Sequence, residues 1–538
     1  MPVRPWQDRV VRNAPAPLPS IARMGTTQHR CPRDLHSEVY PPQLRKGRRS
    51  HTLPCELPQE LRPLDAAFLN FERKELPLHI GAVSICDGPL PFDEFVNGIE
   101  RKLDLLPRYR QIAARTFLDI GFPTWRHDPR FDVRRHVFHE TLRPPGGEGQ
   151  LRELAGRIFS TVLDRGKPLW ELYLVDGLAG GRAAIITKVH HCMVDGVSGV
   201  ELMNIMFDTS RKAPVAAGRL AERKRYRPPD QPPAETLTGA VKGAFQTTLA
   251  QLAGAQKELA AYGQSLLHDR RIIEGWLRLA DVLPQVLAPL ERLPFNRPCS
   301  GERRVAWSQH SFSEARAIRA ACGGSVNDVV LTVLAGAVMR YLKLHKESLR
   351  HRYFRVMVPV NVRQAENRGT LGNCVSILPV TLPLFVKDPV ERLRRISAQT
   401  DSMKRAHVAE LIWAWIAWAG ALPPPLQALA GRIPLFSTPV PIMHMVATNV
   451  PGPQIPLYAN GRRLLTLYPY VPAGWDLGIN LAIQSYDQKL FFGFTVDAQA
   501  APDGERLKEF LDAAFLELRR AAKVTAAKPA AQARTAAP

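Results

Sequence analysis

The segment GGRAAIITKVHH, residues 180–191, constrains the fold of this chain more than any other. It begins with two glycines and continues as a run of apolar and β-branched residues, a pattern that predicts a turn followed by a buried strand. The segment GVSGVELMNIMF, residues 196–207, has the pattern of a helix. The polar cluster HHCMVDG between them is therefore predicted to follow the end of a buried strand.

The types of residue in this cluster suit proton transfer. A histidine at a strand end points into whatever cleft the sheet borders, and with an ordinary pKa near ~6.5 it can be neutral and basic at working pH. The two candidates are His190 and His191. Asp195 can turn back to brace the loop, and Gly196 permits a sharp turn before the helix. The pattern indicates a general base on a braced loop.

Three other interpretations of the cluster remain open from the residues alone. His190, His191 and Asp195 are plausible metal ligands, but no second His/Cys cluster with matching spacing is present, and we expect no metal. A satisfied histidine in a structural turn is a second interpretation. The third is a nucleophilic Cys192, which would point away from His191 if the strand geometry continued.

The length of 538 residues predicts two domains. We expect a disordered basic extension over residues 1–58 and a disordered tail over 524–538. Between them lie an N-terminal domain (59–210), a linker with helices (211–300) and a C-terminal domain (301–523). The seven cysteines are scattered without a CxxC pair, so a disulfide framework is not expected and a reducing cytoplasm fits.

The formal net charge of +22 predicts an anionic partner. The sequence has no zinc-finger spacing, RNP-type segment or basic helix with heptads, so we expect no nucleic-acid partner. The longest apolar stretch, residues 411–422, is shorter than the ~20 residues a spanning helix needs. It carries Trp413, Trp415 and Trp418, which suit either a buried helix or an interfacial one.

Three motifs in order carry a resemblance to a known family. HHCMVDG matches an HHxxxDG motif, PLWELYLVDGL (168–178) matches a PLW motif upstream of it, and SVNDVVLTVLAGAV (325–338) matches an ND motif. Over residues 61–523 the chain resembles the bacterial wax ester synthase/diacylglycerol acyltransferase family of the chloramphenicol acetyltransferase-like superfamily. The resemblance implies an α/β fold of two such domains, each a mixed sheet flanked by helices, with the active-site channel at their interface.

The same resemblance implies an activity. A long-chain acyl group would pass directly from acyl-CoA to diacylglycerol or a fatty alcohol, with no cofactor beyond the acyl-CoA co-substrate, making triacylglycerol or wax esters. Two alternatives are a transferase that uses a carrier-protein thioester, as condensation domains do, and a non-catalytic lipid-binding member of the fold. The DFGWG motif of condensation domains is absent, which favours the lipid branch.

The resemblance also assigns roles to residues. His191 would be the base, with Asp195 and Gly196 shaping its loop and His190 orienting it or filling space. Asn480 and main-chain N–H groups near Gly196 are candidate oxyanion donors. Pro168, Leu169 and Trp170 of the PLW motif, and Asn327 and Asp328 of the ND motif, are substrate-binding or structural positions. We expect Asn327 and Asp328 to act as the N-cap of the apolar helix they precede.

The lipid substrates imply a location. We expect a cytoplasmic protein peripherally associated with the inner face of the membrane or with lipid inclusions, where basic residues meet acidic headgroups and CoA phosphates. The pattern also allows a homodimer.

Overall fold

A computed structural model of the chain describes residues 61, 63–115, 122–194, 199–211, 289–361, 375–410 and 442–526, together with residues 239, 242, 246, 249 and 412. All of them belong to one structural unit, residues 58–538. Two mixed sheets organise this unit, and helices flank both of them.

The first half of the chain supplies the first sheet and four helices. In chain order the elements are α1 (Pro63–Phe71), β1 (His79–Cys86), α2 (Phe92–Leu103), β2 (Gln111–Ala114), β3 (Thr124–His127), β4 (Val137–Thr141), α3 (Glu148–Ser160), β5 (Trp170–Leu178), β6 (Arg182–His190) and α4 (Gly199–Met206). Strands β2 and β3 form a separate two-stranded ribbon. The strand β6 lies centrally because its residues are apolar on both faces and nearly all of them are buried.

The second half supplies the second sheet and four more helices among the described residues. The elements are β7 (Arg303–Ser311), α5 (Phe312–Cys322), α6 (Val326–Leu344), β8 (Tyr353–Asn361), β9 (Val375–Pro383), α7 (Pro389–Arg405), β10 (Met445–Val450), β11 (Tyr458–Ala459), β12 (Arg462–Arg463), β13 (Tyr468–Tyr470), β14 (Ile479–Tyr486), β15 (Lys489–Asp497) and α8 (Leu507–Ala521). Every residue of β14 is buried, and α6 is apolar almost all round, so both lie inside the core.

One strand from the second half of the chain belongs to the first sheet. The first sheet has the order β13-β1-β6-β5-β4, so its edge strand β13 comes from the second half of the chain. The second sheet has the order β7-β15-β14-β10-β8-β9. On its way to the first sheet, the chain at Pro469 crosses close to Gly493 of β15, where an added Cβ would meet the Pro469 carbonyl oxygen at 1.8 Å. Glycine is required there because two backbones touch.

The contacts of a buried arginine join the two halves. Arg303 of β7 pairs with Asp497 of β15, and both side chains are fully buried. The Arg303 guanidinium also donates to the carbonyl of Glu75 at 2.9 Å, and its main-chain N–H donates to Ser160 Oγ at 2.8 Å. A buried guanidinium needs such acceptors, and the Glu75 carbonyl belongs to the first half, as does the Ser160 hydroxyl that binds the Arg303 main chain.

Helix α6 begins with a capping box. Ser325 is the N-cap, and its Oγ accepts the main-chain N–H of Asp328 at 3.2 Å. In return, Asp328 Oδ2 accepts the N–H and the hydroxyl of Ser325 at 2.7 and 2.8 Å. The expectation that Asn327 and Asp328 form the N-cap was therefore wrong by position. Both lie inside the first turn, because the shorter serine side chain reaches the N3 amide from outside the helix.

The predicted fold class is confirmed, as are the buried strand predicted within residues 180–191, which is β6, and the helix predicted within residues 196–207, which is α4. The short strands β2, β3 and β4 were not predicted. The helices predicted within residues 236–290 and 411–422 lie outside the described residues, as do residues 1–58 and most of the tail. The domain limits stay a prediction.

In the part of the chain that the structure describes, no single helix is both long and apolar enough to cross a membrane. Helices α5 and α6 meet the length and composition criteria only as a pair, with a bend of 98° between them.

Candidate active site

The two histidines lie where β6 ends. His190 is the last residue of the strand, and its main-chain N–H donates to the Leu169 carbonyl at 2.9 Å. His191 opens a turn of 3-10 helix over His191–Val194, and its own N–H donates to the Leu78 carbonyl at 3.0 Å. The strand geometry therefore does not continue to Cys192, and the turn decides where each side chain points.

His191 packs against helix α1. Its ring stacks on Phe68, with the ring centroids 3.9 Å apart and the planes 15° from parallel. Burial lowers the pKa of His191 to about 4, and repulsion from His190 adds to the effect, while its own main-chain oxygen works in the opposite direction. The imidazole is therefore neutral at physiological pH and has a lone pair for a proton.

His190 is fully buried. Its Nδ1 accepts the main-chain N–H of Cys192 at 3.2 Å, and its Nε2 lies 3.4 Å from Oε1 of Glu72. Because Nδ1 accepts a hydrogen bond, the ring proton of neutral His190 belongs on Nε2, which faces the carboxylate. His190 thus supports the turn by accepting the Cys192 N–H.

A third histidine lies beside His190. His79 of β1 pairs with His190 across the strands, is fully buried, and stacks on Tyr470 with ring centroids 5.4 Å apart. Burial lowers its pKa well below the usual range, and the positive charges of Lys188 and Arg303 lower it further. Its imidazole is therefore neutral.

Cys192 is unsuited to nucleophilic chemistry. The thiol is fully buried, and burial raises its pKa well above the usual range, with Asp65 and Glu72 adding to the rise. A covalent mechanism needs the thiolate, which this environment disfavours.

An apolar cavity of about 220 Å³ runs along the first sheet. Three alternate cross-strand pairs of β1 and β6 line it, namely Ile80 with Val189, Ala82 with Thr187 and Ser84 with Ile185. From Ile80 to Ser84 the strand advances about 13 Å. The end at Val189 lies two residues before His191. Helix α4 and the second-sheet strands β10 and β14 close the cavity, which therefore lies between the two sheets.

The PLW motif helps to build this cavity. Trp170 lines it, donates its Nε1–H to the Tyr109 carbonyl at 2.8 Å, and stacks on His136 with ring centroids 4.4 Å apart. Pro168 and Leu169 are buried and lead into β5. Trp170 is both a core residue and a wall of the cavity, two roles that the sequence presented as alternatives.

The ND motif and Asn480 have structural partners. Asp328 Oδ1 accepts the Thr400 hydroxyl at 2.8 Å, and Asn327 Oδ1 accepts from the amide of Asn449 on β10 at 3.4 Å. The Asn480 amide accepts the Val446 N–H and donates to the Pro472 carbonyl, both at 2.8 Å, which ties β14 to β10 and to the chain after β13. Within the described residues, the hydrogen bonds of these side chains all go to partners other than His191.

Asp195 and Gly196 lie outside the described residues, so their predicted roles stay predictions. The described ranges contain no group of three or more His, Cys, Asp or Glu residues placed to hold a metal ion.

Glu72 and Phe68 are the site residues that sequence reasoning missed. Both belong to the segment LDAAFLNFE, near the first of the described residues. The sequence placed this segment only as the opening of the family resemblance, although a carboxylate at the end of an apolar helical run was a signal available there.

Known protein families and relatives match this chain over most of its length. Residues 61–330 match the wax ester synthase/diacylglycerol acyltransferase catalytic domain, and residues 371–519 match the WS/DGAT C-terminal domain. The probable diacylglycerol O-acyltransferase tgs1 of Mycobacterium tuberculosis H37Rv is 30% identical over 461 residues, covering 85% of this chain and 95% of the relative. The tgs2 protein of the same strain is 32% identical over 470 residues, covering 86% and 99%.

Solved structures share the fold. The wax ester synthase/diacylglycerol acyltransferase from Marinobacter aquaeolei VT8 superposes with a TM-score of 0.58 at 24% identity, covering 86% of this chain and all of that one. The first condensation domain of the CDA synthetase has a TM-score of 0.53 at 15% identity, covering 88% and 98%. The family matches confirm the resemblance carried by the three sequence motifs. This chain belongs to the wax ester synthase/diacylglycerol acyltransferase family and is an acyltransferase.

Proposed function

We propose that this enzyme transfers a long-chain acyl group from acyl-CoA directly to the hydroxyl of diacylglycerol or of a fatty alcohol, with His191 as the general base. The products would be triacylglycerol or a wax ester. The relatives named as diacylglycerol O-acyltransferases support the first acceptor, and the family description includes the second. No cofactor beyond the acyl-CoA co-substrate is needed.

One observation carries this proposal: the apolar cavity reaches Val189 of β6, which lies two residues before His191 in the chain. An acyl chain laid along β1 and β6 would have only aliphatic and aromatic neighbours over most of its length. Its carbonyl carbon would then lie at the Val189 end, close to the neutral imidazole. Neutral histidine next to a thioester is the arrangement that direct acyl transfer requires.

The proton moves through His191 in both halves of the reaction. As the alcohol oxygen forms its bond to the carbonyl carbon, the imidazole takes the hydroxyl proton. The C–S bond then breaks, and the imidazolium gives that proton to the departing thiolate, leaving an ester and free CoA. With its pKa lowered to about 4, His191 holds the proton only briefly, which favours its rapid return to sulfur.

The surroundings of the turn support direct transfer over an acyl-enzyme. Cys192 is the neighbouring nucleophile, but its buried thiol stays protonated. Asp195 would brace the loop and Gly196 would give it room to turn. Main-chain N–H groups near Gly196 are the better candidates for the oxyanion, since Asn480 already bonds two main-chain groups.

The substrates set the expected location and partners. Diacylglycerol and fatty alcohols reside in membranes and lipid inclusions, so we propose peripheral contact with the inner membrane face or with lipid inclusions in the cytoplasm. The net charge of +22 favours acidic headgroups and CoA phosphates. Nucleic acid has no place in this proposal, and a homodimer is compatible with it.

The test assays purified enzyme with palmitoyl-CoA and either hexadecanol or diolein, following ester formation and free CoA. His191→Ala should lower turnover by about 10²–10⁴, the usual contribution of a general base. His345→Ala is the matched control, because this histidine pairs with Asp503 away from the turn. Near-normal turnover of His191→Ala would refute the assignment. Activity only with a carrier-protein thioester, or acyl-CoA binding without turnover, would favour the two alternative functions.

A further inference from the structure

The contacts that hold His191 converge on one carboxylate, that of Glu72, just past the end of helix α1. The Glu72 side chain is 2% exposed. Its Oε1 accepts the main-chain N–H of Leu78 at 3.1 Å, and its Oε2 accepts from the Arg165 guanidinium at 3.1 Å. The same Oε1 faces His190 Nε2 at 3.4 Å.

The carboxylate is charged where it lies. Burial raises the pKa of Glu72, but His190, the Leu78 N–H and Arg165 together outweigh burial and bring it below its ordinary value. A buried carboxylate with three such neighbours is expected to hold them in fixed positions, because each contact would be lost at a high desolvation cost if the geometry relaxed.

Each neighbour of Glu72 in turn fixes part of the His191 turn. Leu78, bound to Glu72 through its N–H, uses its carbonyl to accept the His191 N–H at 3.0 Å. His190 uses its Nδ1 to accept the Cys192 N–H at 3.2 Å. The residues on both sides of the His191 backbone are therefore tied, in one step each, to the same carboxylate.

The tautomer of His190 is the critical link. Its Nδ1 can accept the Cys192 N–H only while the ring proton stays on Nε2. Glu72 Oε1 lies 3.4 Å from Nε2, too far out of line for a hydrogen bond, and its negative charge favours the proton on that nitrogen. Without the carboxylate, the proton could move to Nδ1, where it would oppose the Cys192 N–H and displace the turn.

We propose that Glu72 is a positioning residue for catalysis: its carboxylate, held by Arg165 and Leu78, selects the Nε2–H form of His190, and His190 then fixes the turn that presents His191. This inference rests on the proposed function of His191. Glu72 itself touches neither substrate nor the reacting atoms in this scheme.

The primary test is Glu72→Gln, which keeps the side-chain length and an oxygen for the Leu78 N–H but removes the charge. We expect kcat to fall about 10- to 100-fold, the usual cost of a catalytic group displaced by a fraction of an ångström to 1 Å. The KM for acyl-CoA should stay within about twofold, because the cavity is unchanged. A wild-type kcat in Glu72→Gln would overturn the inference.

A second measurement separates positioning from general support of the fold. His190→Asn keeps an oxygen near the place of Nδ1 for the Cys192 N–H but has no atom facing Glu72. In that background Glu72→Gln should change kcat by less than about threefold, since the two residues act in one chain. Equal fold losses in the wild-type and His190→Asn backgrounds would show that Glu72 acts independently of His190, against the inference.

The matched control is Glu171→Gln. Glu171 is another buried carboxylate of the first sheet, 3.5 Å from Lys188 and bonded to the Tyr173 hydroxyl at 2.8 Å. Its loss should leave kcat within about threefold, because the described contacts of Glu171 do not include His190. A loss of kcat as large as that of Glu72→Gln would assign both effects to the missing buried charge and refute a specific role for Glu72.

If Glu72→Gln fails to fold, Glu72→Asp takes its place. Aspartate keeps the charge beside Arg165 but is one methylene shorter, so the contact with His190 lengthens. We expect an intermediate kcat with a melting temperature near that of the wild type, and an unchanged kcat overturns the inference. His191→Ala is assayed in parallel: if it stays active, the proposed base fails, whereas an inactive His191→Ala beside a fully active Glu72 variant refutes only the positioning role.

Discussion

The ring of Phe68 lies on the ring of His191, with the two centroids 3.9 Å apart. The contact joins helix α1 to the turn after β6, and it covers one face of the proposed base. Water is excluded from that face, so the charged form of the imidazole is disfavoured. The stacking partner is thus part of the reason that the pKa of His191 is lowered to about 4.

The pH dependence of the reaction should reflect this environment. Because His191 must be neutral to accept a proton, kcat/KM should fall as pH drops through about 4 and stay level from pH 6 upward. An unperturbed histidine would place the midpoint near ~6.5. The measurement is kcat/KM for palmitoyl-CoA between pH 4 and 8, and a midpoint near 6.5 would contradict the burial argument.

The stability of the fold should also depend on pH, so it must be measured at each pH together with activity. His79, His191 and His444 all have pKa values lowered by burial. The unfolded chain therefore binds more protons than the folded one between about pH 4 and 6.5, and stability should decrease as pH falls through this window. Circular dichroism at each pH separates loss of the fold from titration of the base.

Replacement of Phe68 should shift the acid limb of the profile. Phe68→Ala opens one face of His191 to water, so the pKa of the imidazole should rise from about 4 toward its ordinary value, and the midpoint of kcat/KM should rise with it. Phe68→Leu keeps most of the apolar cover and should give a smaller shift. The same pH titration checks both variants, and an unmoved midpoint in Phe68→Ala would exclude Phe68 as a cause of the low pKa.

Local patterns predicted the strand and the turn but not their long-range partners. The apolar run ending at His190 marked β6, and the DG pair after it marked a loop, because both signals lie within a few neighbouring residues. The contact between Glu72 and His190 joins distant segments, and no periodicity encodes it. The entry of β13 into the first sheet is also a matter of long-range pairing, which a three-residue strand cannot signal.

Obstruction of the cavity should change the preferred chain length. Ala82 lies in the middle of the three cross-strand pairs that line the cavity. Ala82→Ile should lower kcat/KM for palmitoyl-CoA about tenfold or more while kcat/KM for butyryl-CoA changes little, because only the longer chain must pass the added side-chain carbons. Ala114→Ile, on β2 and not part of the cavity lining, is the control. Equal losses for both chain lengths would place the acyl chain elsewhere.

Removal of the Cys192 thiol should leave catalysis in place. Since burial keeps this thiol protonated, Cys192→Ala should retain kcat within about threefold and lose about 1 kcal/mol of stability from the small void. Steady-state kinetics and thermal melting measure the two effects. Loss of activity in a folded Cys192→Ala protein, with His191→Ala still active, would establish the covalent route.

Disruption of the ND motif should affect stability more than chemistry. Asp328 closes the capping box of α6 with Ser325 and accepts the Thr400 hydroxyl, and its side chain is 1% exposed. Asp328→Ala leaves the Ser325 N–H and the Thr400 hydroxyl without these partners, so the fold should lose about 2–3 kcal/mol, the combined cost of a helix cap and a buried hydrogen bond. The melting temperature should fall accordingly, while kcat at a temperature well below the transition should stay within about threefold.

Asn327→Ala, which gives up one bond of 3.4 Å to Asn449, should cost less stability. A normal melting temperature combined with a large loss of kcat in Asp328→Ala would instead assign the motif to the reaction itself.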